Sequence, residues 1–459
     1  MVDSARKSAY KILIALELQS GSRIEILLQG HAIDAKLGPR DKAFASEIVY
    51  GVTRWKRGLD MIIENGSSTP MERIDLEVLV LLRIGLYQIF EMTRTPISAA
   101  VNETVNVAKS LSKAKPLSGF VNGVLRGVIR NADLENKRIP ISVMVESFLK
   151  KGAPEMLRLG AIHSFPGWIV KRWIKTFGPE LTEKILAASN KKAPVFFRLN
   201  SLNIGKADFL TKATRWGVGA DALSFVENGY LLKEGKLDPG AIPFVKGYVQ
   251  PQDAASQLAA SLLEVEPGDQ VADICCGRGI KSGGFAQAME NKGKIFCLDN
   301  SVMRLTELAT NMERQGVTIC DAQRGDATES WPTAKKFTKI FVDAPCSGTG
   351  GFRRHPEGKW SKSQELVIQM SDLQKNILRM AVDRLTPGGH LVYAVCSIEP
   401  EEGIMQIENL LKKSGYVERV DLRKTDLPAK DFINDTGDLF ILPGESGMDG
   451  FFAAKLRKI

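Results

Sequence analysis

Long hydrophobic runs are absent from the sequence. The most apolar stretch, residues 78–90, is interrupted by Arg83 and is shorter than the roughly 20 residues that a membrane-spanning helix needs. Residues 1–20 mix charged side chains with apolar ones, so they lack the continuous apolar core of a secretory signal. We therefore expect no membrane partner and a cytoplasmic location.

Cysteine is scarce, and its spacing excludes the common cysteine sites. The six cysteines all lie in the C-terminal half, and no two of them have the C-x-x-C spacing that often holds zinc. The sequence therefore predicts no metal and no disulfide framework. In a reducing compartment most of these thiols should be small buried hydrophobic groups, so the question is which of them are reactive.

Acidic residues are fewer than basic ones, and the imbalance is uneven along the chain. The net charge is +9, with +5 in residues 1–130, +7 in residues 131–250 and −3 in residues 251–459. Lysine and arginine supply most of the sequence-independent affinity of proteins for nucleic acid phosphates. By itself, the charge fits a polyanion-binding first half and a merely soluble basic surface equally well.

The pattern of apolar residues changes twice, which predicts three domains. Residues 1–135 have the three- and four-residue spacing of helices and form an all-α domain. The polar segment 131–140 ends in a proline and marks a domain boundary. Residues 136–250 mix helical and strand-like runs, as in a linker followed by a small α+β module. Residues 251–459 form the third domain.

In the third domain, apolar strand-like runs alternate with helical segments. This alternation is typical of a Rossmann-like, doubly wound α/β sheet of buried parallel strands. The predicted strands are QVADICC, KIFCLDN, GVTICDA, KIFVDAP and HLVYAVCS.

A glycine-containing turn follows the first predicted strand, where such sheets bind ligands. Its glycines allow the backbone to approach a ligand without an intervening Cβ. Asp299 ends the second strand and can accept ribose hydroxyls, and Asp326 follows the third, where it can contact an adenine amino group. Together these features favour a nucleoside ligand over an empty turn. The glycine turn consists of Cys275, Cys276, Gly277, Arg278, Gly279, Ile280 and Lys281.

Two thiols and a carboxylate follow neighbouring strands. Asp343 and Cys346 come after the fourth predicted strand, and Cys396 comes at the end of the fifth. A single thiol is more often structural than nucleophilic, but two beside one ligand crevice favour covalent chemistry. Strand position alone does not say which thiol attacks. Glu401 and Glu402 follow at a predicted helix start, where acidic groups suit the helix dipole, and we assign them that local role.

Several segments match the motifs of a known family. Four lie in the second half of the chain: GYVQPQDAASQLAA, DAPCSGTGGFRRHPEGKW, VYAVCSIEPEEG and GMDGFFAAKL. They resemble the NOL1/NOP2/Sun family of RNA cytosine-5 methyltransferases. In the first half, ISAAVNETVNVAK and GFVNGVLR resemble the NusB RNA-binding fold. The whole resembles the bacterial RsmB (Sun/Fmu) group of that family.

The resemblance implies S-adenosylmethionine as cofactor and a specific cytosine of small-subunit (16S) ribosomal RNA as substrate. Carbon 5 of cytosine is a poor nucleophile, so a thiolate adds at carbon 6 and makes carbon 5 enamine-like. In the family this thiolate belongs to the motif around Cys396, while Asp343 hydrogen-bonds the ring and Cys346 serves product release. DNA cytosine-5 methyltransferases instead use a Pro-Cys thiol like Cys346. The family motif at residues 396–402 favours Cys396.

The resemblance also implies RNA contacts, made by a basic segment with an aromatic residue that is suited to bind phosphate and stack a base. Without the family match, a solvated loop would explain the segment as well. Arg198, in the motif RLNSLN, is added by the same resemblance. We expect a monomer. The segment's predicted RNA-binding residues are Arg353, Arg354, His355, Lys359 and Trp360.

The glycine turn departs from the family pattern DxCAAPGGKT. Arg278 stands at the proline and Ile280 at a glycine. Two alternatives therefore stay open: an RNA-binding or antitermination factor that keeps the methyltransferase domain as a scaffold, and an enzyme that acts on transfer RNA. The two thiols favour an enzyme, and the NusB-like half favours ribosomal RNA by analogy.

Overall fold

The chain forms two compact units in a computed structural model. The first contains Met1–Lys191 and Arg354–Ser363, and the second contains Lys192–Arg353 and Gln364–Ile459. The predicted boundary at residues 135–136 lies outside the described residues. Within the described part of the chain, no helix is long and apolar enough to cross a membrane. The structure describes residues 4–19, 21–30, 37–111, 115–134, 137–237, 239–413 and 415–459.

The described part of the first unit is helical, which confirms the predicted all-α domain. Its helices between Ser4 and Ile162 bury one shared hydrophobic core. The helices of residues 4–190 are α1 (Ser4–Leu18), α2 (Ile24–Gln29), α3 (Pro39–Arg54), α4 (Lys56–Gly66), α5 (Leu76–Glu91), α6 (Ile97–Ser110), α7 (Ser118–Asn131), α8 (Ile141–Ser147), α9 (Glu155–Ile162), α10 (Gly167–Phe177) and α11 (Pro179–Asn190).

Helix α5 is the central helix of this core. Every residue from Val78 to Phe90 is buried, as its all-round apolar pattern predicts. The burial includes Arg83, whose guanidinium binds both carboxylate oxygens of Asp60 at 2.6 and 2.9 Å and Glu17 at 2.8 Å. These ion pairs compensate for removing the guanidinium from water, so the charge is tolerated in the middle of the helix.

The structure divides residues 136–250 differently from the prediction. Helices α8–α11 belong to the first unit, because α8 and α9 pack on α4. A Cβ at Gly58 would lie 2.8 Å from Ile141, and the Gly58 N–H donates to Ser164 Oγ at 3.2 Å. Only the strand-forming remainder belongs to the second unit.

The first unit also contains an inserted segment, residues 354–363, with the short helix α17 (Gly358–Ser361). Its Lys359 side chain is fully buried and lies 3.7 Å from the centre of the Phe165 ring. Burial, and then repulsion by Arg54, lower the pKa of Lys359 well below its usual value. The Lys359 Nζ donates to Asn190 Oδ1 (2.7 Å), Arg54 O (3.2 Å) and Ser164 O (3.4 Å).

These contacts contradict the prediction that Lys359 binds RNA phosphate. The Lys359 Nζ donates to acceptors inside the unit and is shielded from solvent. The neighbouring Trp360 is half-buried, and its indole N–H donates to Thr53 O at 2.7 Å. The inserted segment therefore contributes to the packing of the helical unit.

The second unit begins with a small antiparallel sheet, in the strand order β2-β3-β1-β4. Its core is aromatic, with the rings of Phe197 and Tyr230 stacked 5.3 Å apart. The predicted small α+β module is confirmed in this form. It consists of β1 (Phe196–Leu199), α12 (Lys206–Ala213), β2 (Gly219–Ala222), β3 (Gly229–Glu234), α13 (Ile242–Val245) and β4 (Val249–Pro251).

A large mixed sheet follows, in the order β10-β12-β9-β8-β5-β6-β7, with β11 paired to β12. Strands β5 to β9 are parallel to their neighbours within this group, which confirms the predicted Rossmann-like core. The strands are β5 (Gln270–Ile274), β6 (Lys294–Asp299), β7 (Cys320–Arg324), β8 (Phe337–Asp343), β9 (Leu385–Val395), β10 (Val417–Arg419), β11 (Leu439–Ile441) and β12 (Phe451–Lys458).

Strand β12 pairs antiparallel with β9 and was not predicted from the sequence. Its first six residues, Phe451–Leu456, are all buried, including Lys455, so they lack the alternation of a surface strand. The helices of this region are α14 (Ala254–Ser261), α15 (Ile280–Ala288), α16 (Val302–Gln315), α18 (Gln364–Arg384) and α19 (Ile404–Lys413).

We predict that Lys359→Ala destabilises the protein. Three hydrogen-bond acceptors lose their donor and a cavity remains, so the free energy of unfolding should fall by about 2–4 kcal/mol. Lys362→Ala, at a partly exposed lysine of the same segment, is the control and should change it by less than about 0.5 kcal/mol. Urea unfolding measures both. Unchanged stability with weaker RNA binding would instead support the RNA contact expected from the sequence.

The same variant should alter the pH dependence of stability. Because the pKa of Lys359 is lower in the folded protein, the unfolded chain binds more protons between the folded pKa and the ordinary value of 10.5. The contribution of Lys359 to the free energy of unfolding therefore increases as the pH rises from the folded pKa to 10.5, and it is lost as the pH falls through the same range. Lys359→Ala should remove this slope from the unfolding free energy.

Candidate active site

The site lies at the carboxyl ends of the parallel strands. Strand β5 has β6 on one side and β8 on the other, which is the switch point where open α/β sheets bind ligands. The glycine turn follows β5, Asp299 ends β6, Asp343 ends β8, and Cys396 follows β9. The strand order therefore brings these predicted residues to one edge of the sheet.

The two glycines of the glycine turn have different roles. Both have left-handed backbones, with φ of 56° at Gly277 and 74° at Gly279. A Cβ at Gly277 would meet no atom within 4 Å, whereas a Cβ at Gly279 would lie 2.7 Å from Leu308 Cγ. Gly277 therefore leaves room for a ligand beside the backbone, and Gly279 allows α15 to pack against α16. The turn keeps this form with Arg278 and Ile280 in place of the family residues.

Asp299 is joined directly to the glycine turn. Its Oδ2 accepts the Gly277 N–H at 2.9 Å, and its Oδ1 accepts the Ser301 N–H at 2.9 Å. The carboxylate is almost fully buried, and each oxygen keeps a further lone pair for a hydroxyl donor. Asp326 is exposed, and its Oδ1 accepts from the N–H and hydroxyl of Thr328, which lower the pKa of Asp326.

An ion pair connects the glycine turn to the end of β8. Lys281 Nζ lies 2.6 Å from Asp343 Oδ2. Burial lowers the pKa of Lys281, but attraction to Asp343 and the hydrogen bond between them outweigh it, so the net shift is upward. Lys281 is therefore charged at neutral pH and fixes the Asp343 carboxylate beside the turn.

The two candidate thiols are in contact. Cys346 Sγ and Cys396 Sγ are 3.3 Å apart, and Cys396 is exposed while Cys346 is only partly exposed. The hydrogen bond with Cys396, and then burial, raise the pKa of Cys346 well above its usual value. Cys346 therefore keeps its proton at neutral pH and can donate it towards Cys396. The sequence predicted that the two thiols lie close together, but it did not predict the difference in their exposure or the raised pKa of Cys346.

The two thiols of the glycine turn also have raised pKa values. Burial raises the pKa of Cys275, and a hydrogen bond with Cys297 followed by burial raises that of Cys276. Both thiols therefore stay protonated at neutral pH. Within the described residues, no group of three or more His, Cys, Asp or Glu side chains could hold a metal ion.

Sequence reasoning missed a buried polar network beneath the thiols. Ser347 and Ser397, which directly follow the two cysteines, both donate their hydroxyls to Glu402. The helix-start role expected for Glu402 is wrong, because its side chain is fully buried and its carboxylate accepts from these loops. The available signal was the Cys-Ser pair, which occurs at the ends of both strands.

Arg198 does not have the RNA-facing position that the sequence predicted. Only 8% of the residue is exposed, and its guanidinium donates to Gln252, to Gln287 Oε1 at 2.9 Å and to Ile280 O at 3.0 Å. Burial lowers the pKa of Arg198, with a further contribution from Arg314. The side chain therefore joins the small sheet to the first turn of α15, beside the glycine turn.

The Arg353 side chain is also buried and hydrogen-bonded within the protein. It is 8% exposed, and its guanidinium donates to Gly447 O at 3.0 Å and to Lys192 O at 2.8 Å. The prediction that Arg353 binds RNA is therefore contradicted. Arg354 and His355 are partly exposed, and their predicted RNA contacts stay predictions.

Strand order, glycine turn and paired thiols place the protein among the Rossmann-like methyltransferases. Family comparisons agree with this class and with the helical first half. The family described as 16S rRNA methyltransferase RsmB/F matches residues 260–457, the NusB family matches residues 3–130, and the ferredoxin-like domain of RsmF/B-like methyltransferases matches residues 165–236.

Individual relatives match almost the whole chain. Ribosomal RNA small subunit methyltransferase B of Pseudomonas putida is 32% identical and covers 92% of both chains. The probable enzyme of that name from Bacillus subtilis is 31% identical and covers 99% of both. A crystal structure of a methyltransferase homologue from Pyrococcus horikoshii covers 67% of this chain and 100% of its own, at 27% identity and a TM-score of 0.59. The chain belongs to the RsmB/F family and is an S-adenosylmethionine-dependent rRNA methyltransferase.

We predict that alanine at the two glycines has different effects, mainly on cofactor binding at Gly277 and mainly on stability at Gly279. Gly277→Ala places a methyl group in the open space of the turn, so it should weaken S-adenosylmethionine binding at a stability cost of only about 1–2 kcal/mol. Gly279→Ala adds a clash with Leu308 and should cost about 2–5 kcal/mol. Calorimetric titration and urea unfolding separate the two effects. Equal loss of stability in both variants would refute the distinction.

Proposed function

We propose that the protein methylates carbon 5 of a specific cytosine in 16S rRNA through a covalent adduct between Cys396 and carbon 6. The observation that carries this proposal is the thiol pair, in which the sulfurs are 3.3 Å apart and Cys396 is the exposed member. The family resemblance of the motif around Cys396 supports the same assignment.

Cys396 is the nucleophile because it combines access with electrostatic support. The attraction between Lys281 and a Cys396 thiolate contributes to the raised pKa of Lys281, and by reciprocity it favours the charged sulfur. The thiolate adds to carbon 6, and the electron pair displaced from the ring double bond makes carbon 5 nucleophilic. S-adenosylmethionine supplies the methyl group when it is bound.

Asp343 binds the edge of the cytosine ring at N3. Its carboxylate is oriented by Lys281. As the thiolate adds, N3 takes up a proton from solvent, and the preoriented carboxylate accepts the hydrogen bond from this N3–H, so no net negative charge is left on the ring. Because the ion pair fixes Asp343 before substrate arrives, little reorganisation is needed during the reaction.

Cys346 assists release of the product. After methyl transfer, the proton on carbon 5 passes to a solvent water, the electrons of that bond re-form the ring double bond, and Cys396 departs as a thiolate while N3 returns its proton to solvent. A protonated Cys346 in contact with Cys396 Sγ can donate a hydrogen bond to this leaving sulfur.

The cofactor site is formed by residues 275–281 with Asp299, Asp326 and Asp343. Gly277 leaves space beside the turn, and Asp299 offers acceptor capacity for ribose hydroxyls. Arg354 and His355 contribute RNA contacts, and the basic first half of the chain supplies further attraction to phosphate. We further infer a monomer that acts in the cytoplasm.

The two thiol roles predict opposite outcomes for two variants. Cys396→Ala should form no covalent RNA adduct, because the nucleophile is missing. Cys346→Ala should accumulate the adduct, because release is impaired. Denaturing gels of protein incubated with labelled RNA and S-adenosylmethionine measure both. Adduct in Cys396→Ala and none in Cys346→Ala would reverse the assignment.

The substrate is tested by mapping methylated cytosines. Bisulfite sequencing of total RNA should show that a deletion strain loses a single 5-methylcytosine in 16S rRNA, which returns with the wild-type gene and not with Cys396→Ala. Loss of a transfer RNA site would support the alternative substrate. An unchanged map would favour a non-enzymatic scaffold.

A further inference from the structure

The loops that carry the two thiols are tied to one buried carboxylate. Ser347, which follows Cys346, donates its N–H to Glu402 Oε1 at 2.7 Å and its hydroxyl to Glu402 Oε2. Ser397, which follows Cys396, donates its hydroxyl to Glu402 Oε2 at 2.5 Å. The side chain of Glu402 therefore links the ends of β8 and β9.

A third element closes the network. Gln374 of α18 donates its side-chain amide to Glu402 Oε1 at 3.1 Å and to Pro345 O at 2.9 Å, beside Cys346. The hydroxyl of Tyr393 donates to the Glu402 backbone carbonyl at 2.7 Å. Gln374, Tyr393, Glu402 and both serines are all fully buried.

The chemistry of this arrangement argues for more than packing. The four hydrogen bonds to the Glu402 carboxylate come from neutral donors, a set that suits an acceptor-only carboxylate. Burying such a group is costly, and apolar residues often pack a core equally well. Hydrogen bonds are directional, however, so a carboxylate can fix the two serines, and with them the cysteines next to them, in one geometry.

We propose that Glu402 is the positioning residue of the thiol pair, holding Cys346 and Cys396 in contact and keeping the proton on Cys346 so that negative charge stays on Cys396. This inference rests on the proposed function for the roles of the two thiols. The claim that Glu402 keeps the proton on Cys346 is supported by electrostatics. After the hydrogen bond with Cys396 and burial, the charge of Glu402 further raises the pKa of Cys346.

The test is Glu402→Gln, which keeps the shape of the side chain but replaces one acceptor oxygen by a donor. Glu401→Gln, the same change one residue away, is the matched control. Full-length protein without RNA or cofactor is alkylated with iodoacetamide from about pH 6 to about pH 10, across the range of thiol ionisation. Mass spectrometry of the peptides then gives separate rates for Cys346 and Cys396.

In the wild type, Cys396 should be alkylated much faster than Cys346. In Glu402→Gln the ratio of the two rates should fall about tenfold, the loss expected when buried hydrogen bonds to a charged group are broken. The rate of covalent adduct formation with RNA should fall by a similar factor, with KM nearly unchanged. Glu401→Gln should keep the wild-type ratio.

A wild-type alkylation ratio in folded Glu402→Gln would overturn the proposal, even if the variant were less stable, because a merely structural role predicts that result. If Glu402→Gln does not fold, Ser397→Ala decides. It removes one hydroxyl, and an unchanged ratio there would also refute positioning. Since alkylation needs neither RNA nor cofactor, a shifted ratio in a protein that methylates no cytosine would refute only the proposed function.

Discussion

The position of β5 between β6 and β8 is the constraint on which the site depends. Because parallel strands end at the same edge, this order brings four strand ends together, and one carboxylate joins each neighbouring pair. Asp299 joins β6 to the turn after β5, Asp343 pairs with Lys281 of that turn, and Glu402 joins the loops after β8 and β9. The positions of the reactive groups are thus fixed by hydrogen bonds and an ion pair between neighbouring strand ends.

The sequence predicted the features that depend on local pattern. Buried parallel strands appear as apolar runs, and the glycine turn and both Cys-Ser pairs directly follow such runs, so their common edge could be inferred. Whether a charged side chain is buried or exposed could not be inferred in this way. Lys359 and Arg198 look like surface cations in the sequence, and their burial depends on acceptors such as Asn190 and Gln287, far away along the chain.

The same distinction explains two features of the fold that the sequence did not reveal. Strand β12 was missed because its fully buried first residues lack alternation, and only pairing with β9 makes them a strand. Helices α8 and α9 lie in the first unit, whereas the sequence placed them in a linker before the small α+β module, because composition does not reveal which core a helix joins. Their place is decided by contacts such as Ile141 against Gly58.

The inserted segment changes how the two units are joined. The chain passes from the first unit to the second after Lys191, returns after Arg353 and leaves again after Ser363. The chain therefore connects the two units at three points, and no single cut in the backbone separates them. A fragment that begins at Lys192 would retain a segment whose lysine has lost all its acceptors. For protein engineering, the methyltransferase unit therefore cannot be isolated or transplanted by a single cut at its N-terminal boundary.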